Sequence, residues 1–407
     1  MVSFLWTTVI AAGVVTPAIA GDIPQDIAQE RLVYVDCLPG PLIDDTFLPS
    51  CLTTTAKGNS TTSSGSGHEP WTYPPYCAGE AGYCAYTNAN IYGTGRGVSV
   101  IDGGSKDGKP PAVSAAERIA NAAVQLSPKE LDPDPPFEVR DIPGKGKGLV
   151  ATRKIPRGKV FMIDRAAVIA DADMPAKMLR SDGHDMLWKA FEQHPLAVEL
   201  LDLARSSLDQ DDVPAPEDIM KTNSFNVEIG GKSYIALFPR IARMNHACRP
   251  SAITRFNETD FSNTVFAFHD IMPGDEIAIS YSSFGLTSAG RQHTLLSKWG
   301  FNCTCSLCSS PPEELAASDA RRAKIHNLGE EVISLLQKGG GDPETIRRAA
   351  TLYEEAVHAV EEEGLVPHMG NHYDVLAKLV AATGNVERAR ELARKAKEER
   401  EGFEGNF

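Results

Sequence analysis

The sequence predicts an α+β protein in which a β-rich central domain precedes an α-helical C-terminal domain. Between residues 137 and 269, short runs of alternating apolar and polar residues are separated by Gly and Pro, which is typical of β-strands joined by turns. From Pro312 onward the chain changes to long helical segments separated by glycines. The length of 407 residues leaves room for two or three domains.

The central domain is predicted to span residues 136–310 and to begin with a hairpin. Residues 137–142 alternate as a strand does, Gly144 to Gly148 form a tight turn, and residues 149–152 continue as a strand. Similar patterns predict strands over residues 160–163, 233–238, 252–256 and 265–269, and one helical insertion over residues 179–204.

The C-terminal domain is predicted to span residues 311–407. Three helical segments, Glu313–Gln337, Pro343–Glu363 and Asn371–Glu399, are separated by a run of glycines and by Gly364. Small and large apolar residues alternate within the third segment, which resembles the packing of a tetratricopeptide repeat. Because fewer than three clear repeats are present, the sequence predicts an array of helical hairpins with this TPR-like packing.

The first twenty residues are predicted to be a signal peptide. Phe4 to Ala20 carry no charge and end in an Ala-x-Ala pattern before Gly21. The run of seventeen residues contains Pro17 and is a poor membrane anchor, so no membrane association is expected. The protein is therefore expected in the secretory pathway or outside the cell. A nuclear or cytoplasmic location would follow if translation starts further along the chain.

Residues 21–135 are predicted to form a separate, Cys-containing and partly disordered region. Leu52 to Pro70 are rich in Ser, Thr and Gly, whereas Trp71 to Tyr92 are aromatic and could form a small disulfide-held loop domain. A short helix is expected over residues 112–126, and prolines at 133, 135 and 136 indicate a linker.

The eight cysteines fall into two groups of four, one near the N-terminus and one after residue 240. The N-terminal group has no close Cys-x-x-Cys pair. In a secreted chain it would form two disulfides with three possible connectivities, and otherwise it would be four unrelated thiols. This group consists of Cys37, Cys51, Cys77 and Cys84.

The net charge of −14 and the pI near 5.2 argue against nucleic-acid binding through a broad basic surface. An acidic protein can still attract basic peptides, including lysine-rich tails.

Three motifs follow one another between residues 243 and 308. They read RMNHACRPS over residues 243–251, DEIAISY over residues 275–281 and CTCSLC over residues 303–308. In this order and spacing they resemble the catalytic end of a SET-domain protein-lysine methyltransferase. That resemblance implies a β-rich SET domain with a pseudoknot and a post-SET zinc site, transferring methyl groups from S-adenosyl-L-methionine to lysine side chains of a protein.

The resemblance also implies which residues bind S-adenosyl-L-methionine. The turn formed by Lys145, Gly146, Lys147 and Gly148 resembles the Gly-x-Gly turn that opens a SET domain, where the backbone approaches the cofactor. Taken alone, such a turn is also what a hairpin flanked by lysines looks like. Asn245 and His246 resemble the segment that holds both ends of the cofactor, although Ala247 and Ser251 replace the family's serine and asparagine.

Three further residues follow from the same resemblance. Tyr281 matches the catalytic tyrosine, whose hydroxyl would orient the lysine amine, and Tyr281 also borders the cofactor. Phe301 matches an aromatic residue that packs on the adenine ring. Asn223 resembles an additional cofactor-contacting asparagine. Glu276 is expected to support the fold through hydrogen bonds.

Four cysteines supply the number of thiolates that a closed structural zinc site requires. Disulfides are the alternative in a secreted protein, but Cys303 and Cys305 are too close in sequence for an unstrained bridge. The expected ligands are Cys248, Cys303, Cys305 and Cys308.

The arrangement is most similar to the SET and MYND (SMYD-like) branch of the family, without a MYND zinc finger, because residues 165–240 contain no cysteine. The implied partner is a histone or non-histone protein with an accessible lysine. A catalytically inactive, SET-derived peptide-binding module is the alternative. Zinc-bound thiolates and S-adenosyl-L-methionine suit the cytosol or nucleus, whereas a signal peptide would direct the protein to an oxidising compartment. The sequence alone does not resolve this conflict.

Overall fold

The computed structural model describes residues 68–79, 82–103, 114–122, 134–206, 213–339, 342–365 and 369–403. The predicted signal peptide, Cys37 and Cys51 lie outside these ranges. The chain divides into two compact units. Among the described residues, one unit contains those between 68 and 279 and between 294 and 303, and the other contains those between 280 and 293 and between 304 and 403.

Thirteen strands are described, all in the first unit. They are β1 Tyr76–Ala78, β2 Tyr83–Asn88, β3 Val98–Gly103, β4 Phe137–Ile142, β5 Gly146–Ala151, β6 Val160–Arg165, β7 Val168–Asp171, β8 Ser224–Ile229, β9 Lys232–Leu237, β10 Asn245–His246, β11 Ala252–Asn257, β12 Ser262–Ala267 and β13 Glu276–Ile279.

Ten α-helices are described, together with a 3-10 turn at Ile241–Arg243. They are α1 Ala115–Ala122, α2 Met174–Lys177, α3 Arg180–Glu192, α4 Ala197–Leu201, α5 Ala215–Asn223, α6 Ser288–Trp299, α7 Pro312–Gly339, α8 Pro343–Glu363, α9 Met369–Ala382 and α10 Val386–Glu401. Among the residues described, no helix is long and apolar enough to cross a membrane.

The strands of the first unit form three sheets. The six-stranded sheet has the order β1-β2-β3-β7-β9-β8, the four-stranded sheet β10-β13-β5-β4 and the three-stranded sheet β11-β12-β6. Helix α3 packs Met186, Ala190 and Phe191 into the apolar core beside the largest sheet. The predicted fold class, a β-rich domain followed by helices, is confirmed.

The region before Pro136 was predicted to be separate, but its described strands join a sheet of the central domain. Strand β3 lies parallel to β7, with Ser99 opposite Val168, so the N-terminal hairpin extends a sheet of the central domain. Cys77 and Cys84 face each other across β1 and β2 and form a disulfide, one of the pairings left open by the sequence. The aromatic segment is therefore part of a shared sheet rather than a small loop domain.

A buried charged cluster joins these strands. The ammonium of Lys232 on β9 lies 2.9 Å from Asp102 of β3 and 2.8 Å from Asp171 of β7. Tyr83 donates a hydrogen bond to Asp171, and Tyr234 donates one to Asp102. Both carboxylates are almost fully buried, so each needs these partners to offset the cost of desolvation.

Helices α7 to α10 form the second unit around an apolar core that includes Ile325, Tyr353 and Leu376. Four helices replace the three predicted segments, because Gly384, at φ +89°, interrupts the third segment between α9 and α10. Asp342 caps α8 by accepting from the backbone N–H groups of Glu344 and Thr345.

Candidate functional site

The candidate site begins at the turn between β4 and β5. The register places Ile142 opposite Gly146, so the hairpin closes immediately before Gly146. Gly146 has φ +70°, a conformation that favours glycine, and a Cβ built there meets no atom within 4 Å. The backbone of the turn therefore has an open side that a ligand can approach.

Strand β13 brings the second part of the site to this turn. It pairs antiparallel with β5 and parallel with the two-residue strand β10, where Asn245 lies opposite Ala278. The Asn245 amide donates to Glu276 Oε1 at 2.9 Å and to the carbonyl of Lys147 at 3.4 Å. The turn and the Asn-His segment, separate in sequence, are thus hydrogen-bonded to each other.

Gly148 is required by packing inside the protein. A Cβ at this position would lie 2.7 Å from both Asn245 Nδ2 and Ile142 Cγ1, well inside contact distance. The resemblance explained this glycine by close approach of a cofactor. The structure gives a different reason for glycine here, because the Asn245 amide fills the space that a side chain would occupy.

The lysines of the turn are fixed by carboxylates. Lys145 lies 2.6 Å from Glu276, which confirms the supporting role expected of that glutamate, and Lys147 lies 2.6 Å from Asp202. Hydrogen bonds from Lys147 and Arg243 hold the pKa of Asp202 below its usual range. Asp202 was not expected at the site, since an isolated aspartate after a helix carries no sequence signal.

His246 and Phe301 lie close to each other. The His246 ring is buried, its Nε2 atom lies 3.4 Å from Cys248 Sγ, and its centroid is 6.4 Å from that of Phe301. Phe301 is partly buried and follows α6 in sequence. The two predicted cofactor residues are therefore neighbours, and Phe301 is only partly buried.

Asn223 has a structural role at the end of α5. Its side-chain amide donates to the carbonyls of Ala204 at 2.7 Å and Ile219 at 2.9 Å, and the residue is 8% exposed. Both amide hydrogens are committed to these bonds. The predicted cofactor contact stays a prediction and would have to use the carbonyl oxygen.

Tyr281 lies two residues beyond the end of β13 and is partly buried. The segment after it is anchored in the helical unit. Arg322, which is fully buried, donates to the carbonyl of Phe284 at 2.9 Å and lies 3.0 Å from the buried Glu363. Sequence reasoning missed this anchor because charged residues on a helix normally face solvent.

The four predicted zinc ligands come together. Their sulfur atoms all lie within 4.8 Å of one another, and no disulfide joins these four cysteines. The Cys248 and Cys303 sulfurs are 3.9 Å apart. Two thiolates bound tetrahedrally to one zinc ion would be about 3.8 Å apart, given Zn–S bonds of about 2.3 Å. The donor set therefore fits a structural zinc ion.

Comparison with known proteins identifies the domain that carries this site. Residues 146–282 match the family described as the SET domain, so the chain contains a SET domain, as its motifs predicted. The matched segment contains the turn, Asn245, His246 and Tyr281. The predicted absence of a MYND zinc finger stays a prediction.

The chain is similar to lysine methyltransferases over parts of their length. It is 26% identical over 198 residues to histone-lysine N-methyltransferase set5 of Schizosaccharomyces pombe, covering 46% of this chain and 56% of that protein. It is 29% identical to N-lysine methyltransferase SMYD2 of Mus musculus and 31% identical to SMYD2-B of Danio rerio. Each of these last two matches covers 31% of this chain and 29% of the relative.

Proposed function

We propose that this protein transfers methyl groups from S-adenosyl-L-methionine to the side-chain amine of lysine in a protein substrate. The observation that carries the proposal is the Asn245 amide bonded to the carbonyl of Lys147, at the start of β5, within a SET domain. The similarity to set5 and SMYD2 supports the same activity.

The cofactor would be held by residues on both sides of this contact. Lys145 to Gly148 would supply backbone groups, Asn245 and His246 would hold the polar ends, and Phe301 would pack on the adenine ring. The open side of the turn at Gly146 and the accessible part of Phe301 fit this role. When bound, S-adenosyl-L-methionine supplies an electrophilic methyl group.

Tyr281 would orient the substrate amine. A lysine amine has a pKa of about 10.4 in water and must be neutral to attack, and an apolar channel favours loss of its proton. The Tyr281 hydroxyl need only hold the neutral amine in line with the methyl group. This positioning lowers the activation barrier for methyl transfer, so the hydroxyl need not act as a strong base. The bonds from Arg322 and Arg291 to nearby carbonyls support a fixed Tyr281 segment.

The four cysteines would hold a structural zinc ion, which adds folding free energy and takes no part in methyl transfer. The substrate would be a histone or non-histone protein with an accessible lysine. For location we keep the secretory pathway as the proposal, which the Cys77–Cys84 disulfide supports, with nucleus or cytoplasm as the alternative.

The proposal is tested by comparing Tyr281→Phe with Asn245→Ala in the full chain, under reducing and zinc-replete conditions. Tyr281→Phe should lower turnover by about 10²-fold with little change in cofactor affinity, because one positioned hydrogen bond near the reacting atoms is lost. Asn245→Ala should weaken cofactor binding first. Cofactor titration and labelled methyl transfer to a lysine-peptide pool measure the two effects.

Tyr73→Phe is the matched control, because Tyr73 is exposed in a loop of the first unit, and it should leave both quantities unchanged. If the unmutated protein binds no S-adenosyl-L-methionine, the enzyme proposal fails and the peptide-binding module replaces it. If it binds the cofactor and Tyr281→Phe retains full turnover, the assigned role of Tyr281 fails.

A further inference from the structure

A cavity lies in the first unit, and none of the residues assigned to the cofactor lines it. Its volume is about 580 Å³, and its walls are β6, the loop over residues 92–97 and the segment over residues 153–156. Neither the turn at Gly146–Gly148 nor Asn245 lines it. The volume falls in the range of about 300–1,000 Å³ that small-molecule sites occupy.

The cavity is lined by far more positive than negative charge. Six cationic side chains face one carboxylate, Asp164, although the whole chain carries a net charge of −14. The cationic residues are Arg96, Arg153, Lys154, Lys159, Arg165 and Arg240.

Three of these cations pair with carboxylates outside the cavity lining. Arg153 pairs with Asp134, Lys154 with Asp270 and Arg165 with Asp260. No ion pair is described for Arg96 or Arg240 within the part of the chain that the structure covers. The Arg240 guanidinium instead lies 5.4 Å from the centre of the Phe137 ring. Arg96 therefore leaves positive charge without a carboxylate partner, whereas the charge of Arg240 acts on Asp164 without forming an ion pair with it.

The carboxylate of Asp164 is buried and hydrogen-bonded to the backbone. It is 6% exposed, and it accepts backbone N–H groups from Arg240 at 2.6 Å, Ile241 at 2.9 Å and Arg165 at 3.1 Å. Burial raises the pKa of Asp164 to about 6 despite these bonds. Its oxygens are thus directed at the backbone, and the carboxylate serves to hold the start of the 3-10 turn.

The neutral groups of the cavity are also accounted for. His194 is buried, with Nε2 3.0 Å from the Gly97 carbonyl and Nδ1 accepting from the Leu196 N–H, and burial lowers its pKa to about 4. Between the cations the wall is apolar. It includes Ile155, Phe161, Met162, Leu196 and Pro239.

From this combination we infer that the cavity binds an organic anion with an apolar body, such as a medium-chain carboxylate or alkyl phosphate. The apolar wall would bury the alkyl chain of the ligand, and Arg96 and Arg240 would pair with its anionic head group. A cavity of this size suits a small molecule better than an extended polypeptide. The inference is independent of methyl transfer, since it uses none of the residues assigned to that reaction.

Isothermal titration calorimetry of the full chain tests the inference with three probes whose alkyl tails are about equally long. Decanoate and decyl phosphate should each bind at about one per chain, and the stronger of the two identifies the head group. Decyltrimethylammonium has the same tail and opposite charge, and it should bind at least about tenfold more weakly. The affinity of the anions should fall as salt rises, because salt screens exposed charges.

Arg96→Glu reverses one exposed charge of the cavity and should weaken anion binding by at least about tenfold. Arg140→Glu is the matched control, because Arg140 is exposed in the same unit and does not line the cavity. Equal binding of the cationic and anionic probes, absence of binding, or equal losses in the two variants would each overturn the inference. Tight binding of a polyglutamate peptide that decanoate cannot displace would also overturn it, in favour of a protein partner.

Discussion

At the scale of single residues, Gly148 links the strand geometry of the central domain to the candidate cofactor site. Its missing side chain leaves room for the Asn245 amide, which in turn bonds to Glu276. Gly148→Ala should therefore displace Asn245 and destabilise the protein by about 1–3 kcal/mol, as overpacking of a well-filled site does. Cofactor affinity should fall together with stability. Urea unfolding and cofactor titration measure the two changes.

Gly183→Ala provides the comparison within the same unit. Gly183 lies in α3, and a Cβ there would meet only Met174 and Met178 side-chain atoms at 3.9 Å, an ordinary contact. Since alanine favours a helix over glycine by about 0.5–1 kcal/mol, this change should leave the protein equally or more stable. Equal losses in both variants would show that the contact with Asn245 is not what requires Gly148.

At the scale of elements, the cluster around Lys232 keeps β3, β7 and β9 in one sheet. Lys232→Met would leave Asp102 and Asp171 buried without their shared cation. About a third of the Lys232 side chain is exposed, so solvent screening limits the expected loss to about 2 kcal/mol. Chemical unfolding measures this loss. Lys177→Met, which removes an exposed pair with Asp173, should cost less than about 1 kcal/mol.

The same cluster predicts a pH dependence. Burial alone would raise the pKa of Asp171, but hydrogen bonds from Lys232, from the Asp173 backbone and from Tyr83 outweigh it and lower the pKa. A carboxyl with a lowered pKa stabilises the folded state above its unfolded pKa, and this contribution is lost as pH falls through the folded value. The stability difference between the natural chain and Lys232→Met should thus be constant between about pH 5 and 9 and narrow below about pH 4. A difference that grows on acidification would contradict this assignment.

At the scale of the whole molecule, the four-cysteine group should make stability depend on zinc. The protein is expected to contain about one zinc ion per chain, and a chelator should lower its unfolding midpoint, because zinc binding free energy is folding free energy. Cys305→Ser should reduce the metal content and stability in the same direction. Metal analysis by mass spectrometry and thermal unfolding measure these outcomes.

A double substitution of Cys77 and Cys84 by serine controls for general effects of losing cysteine, since these two form the hairpin disulfide. It should leave the zinc content unchanged. Folded protein without zinc, in which Cys303 and Cys308 are linked by a disulfide, would refute the metal site.

The sequence by itself determined the local structure and the identity of the domain. Alternation and turn glycines predicted the β4–β5 hairpin and strands such as β9 and β11, because side-chain burial on one face of a strand repeats every two residues. The ordered motifs predicted the SET domain, and the spacing of the C-terminal cysteines predicted that they would gather. Both signals lie within short segments of chain.

Only the tertiary structure decided which distant segments share a surface. Strand β3 was not predicted from the sequence, and its parallel pairing with β7 depends on burial across the whole sheet. Lys232 between two buried aspartates, and Gly148 against Asn245, are likewise contacts between residues far apart in sequence. Their energies come from desolvation and close packing, which exist only once the chain has folded.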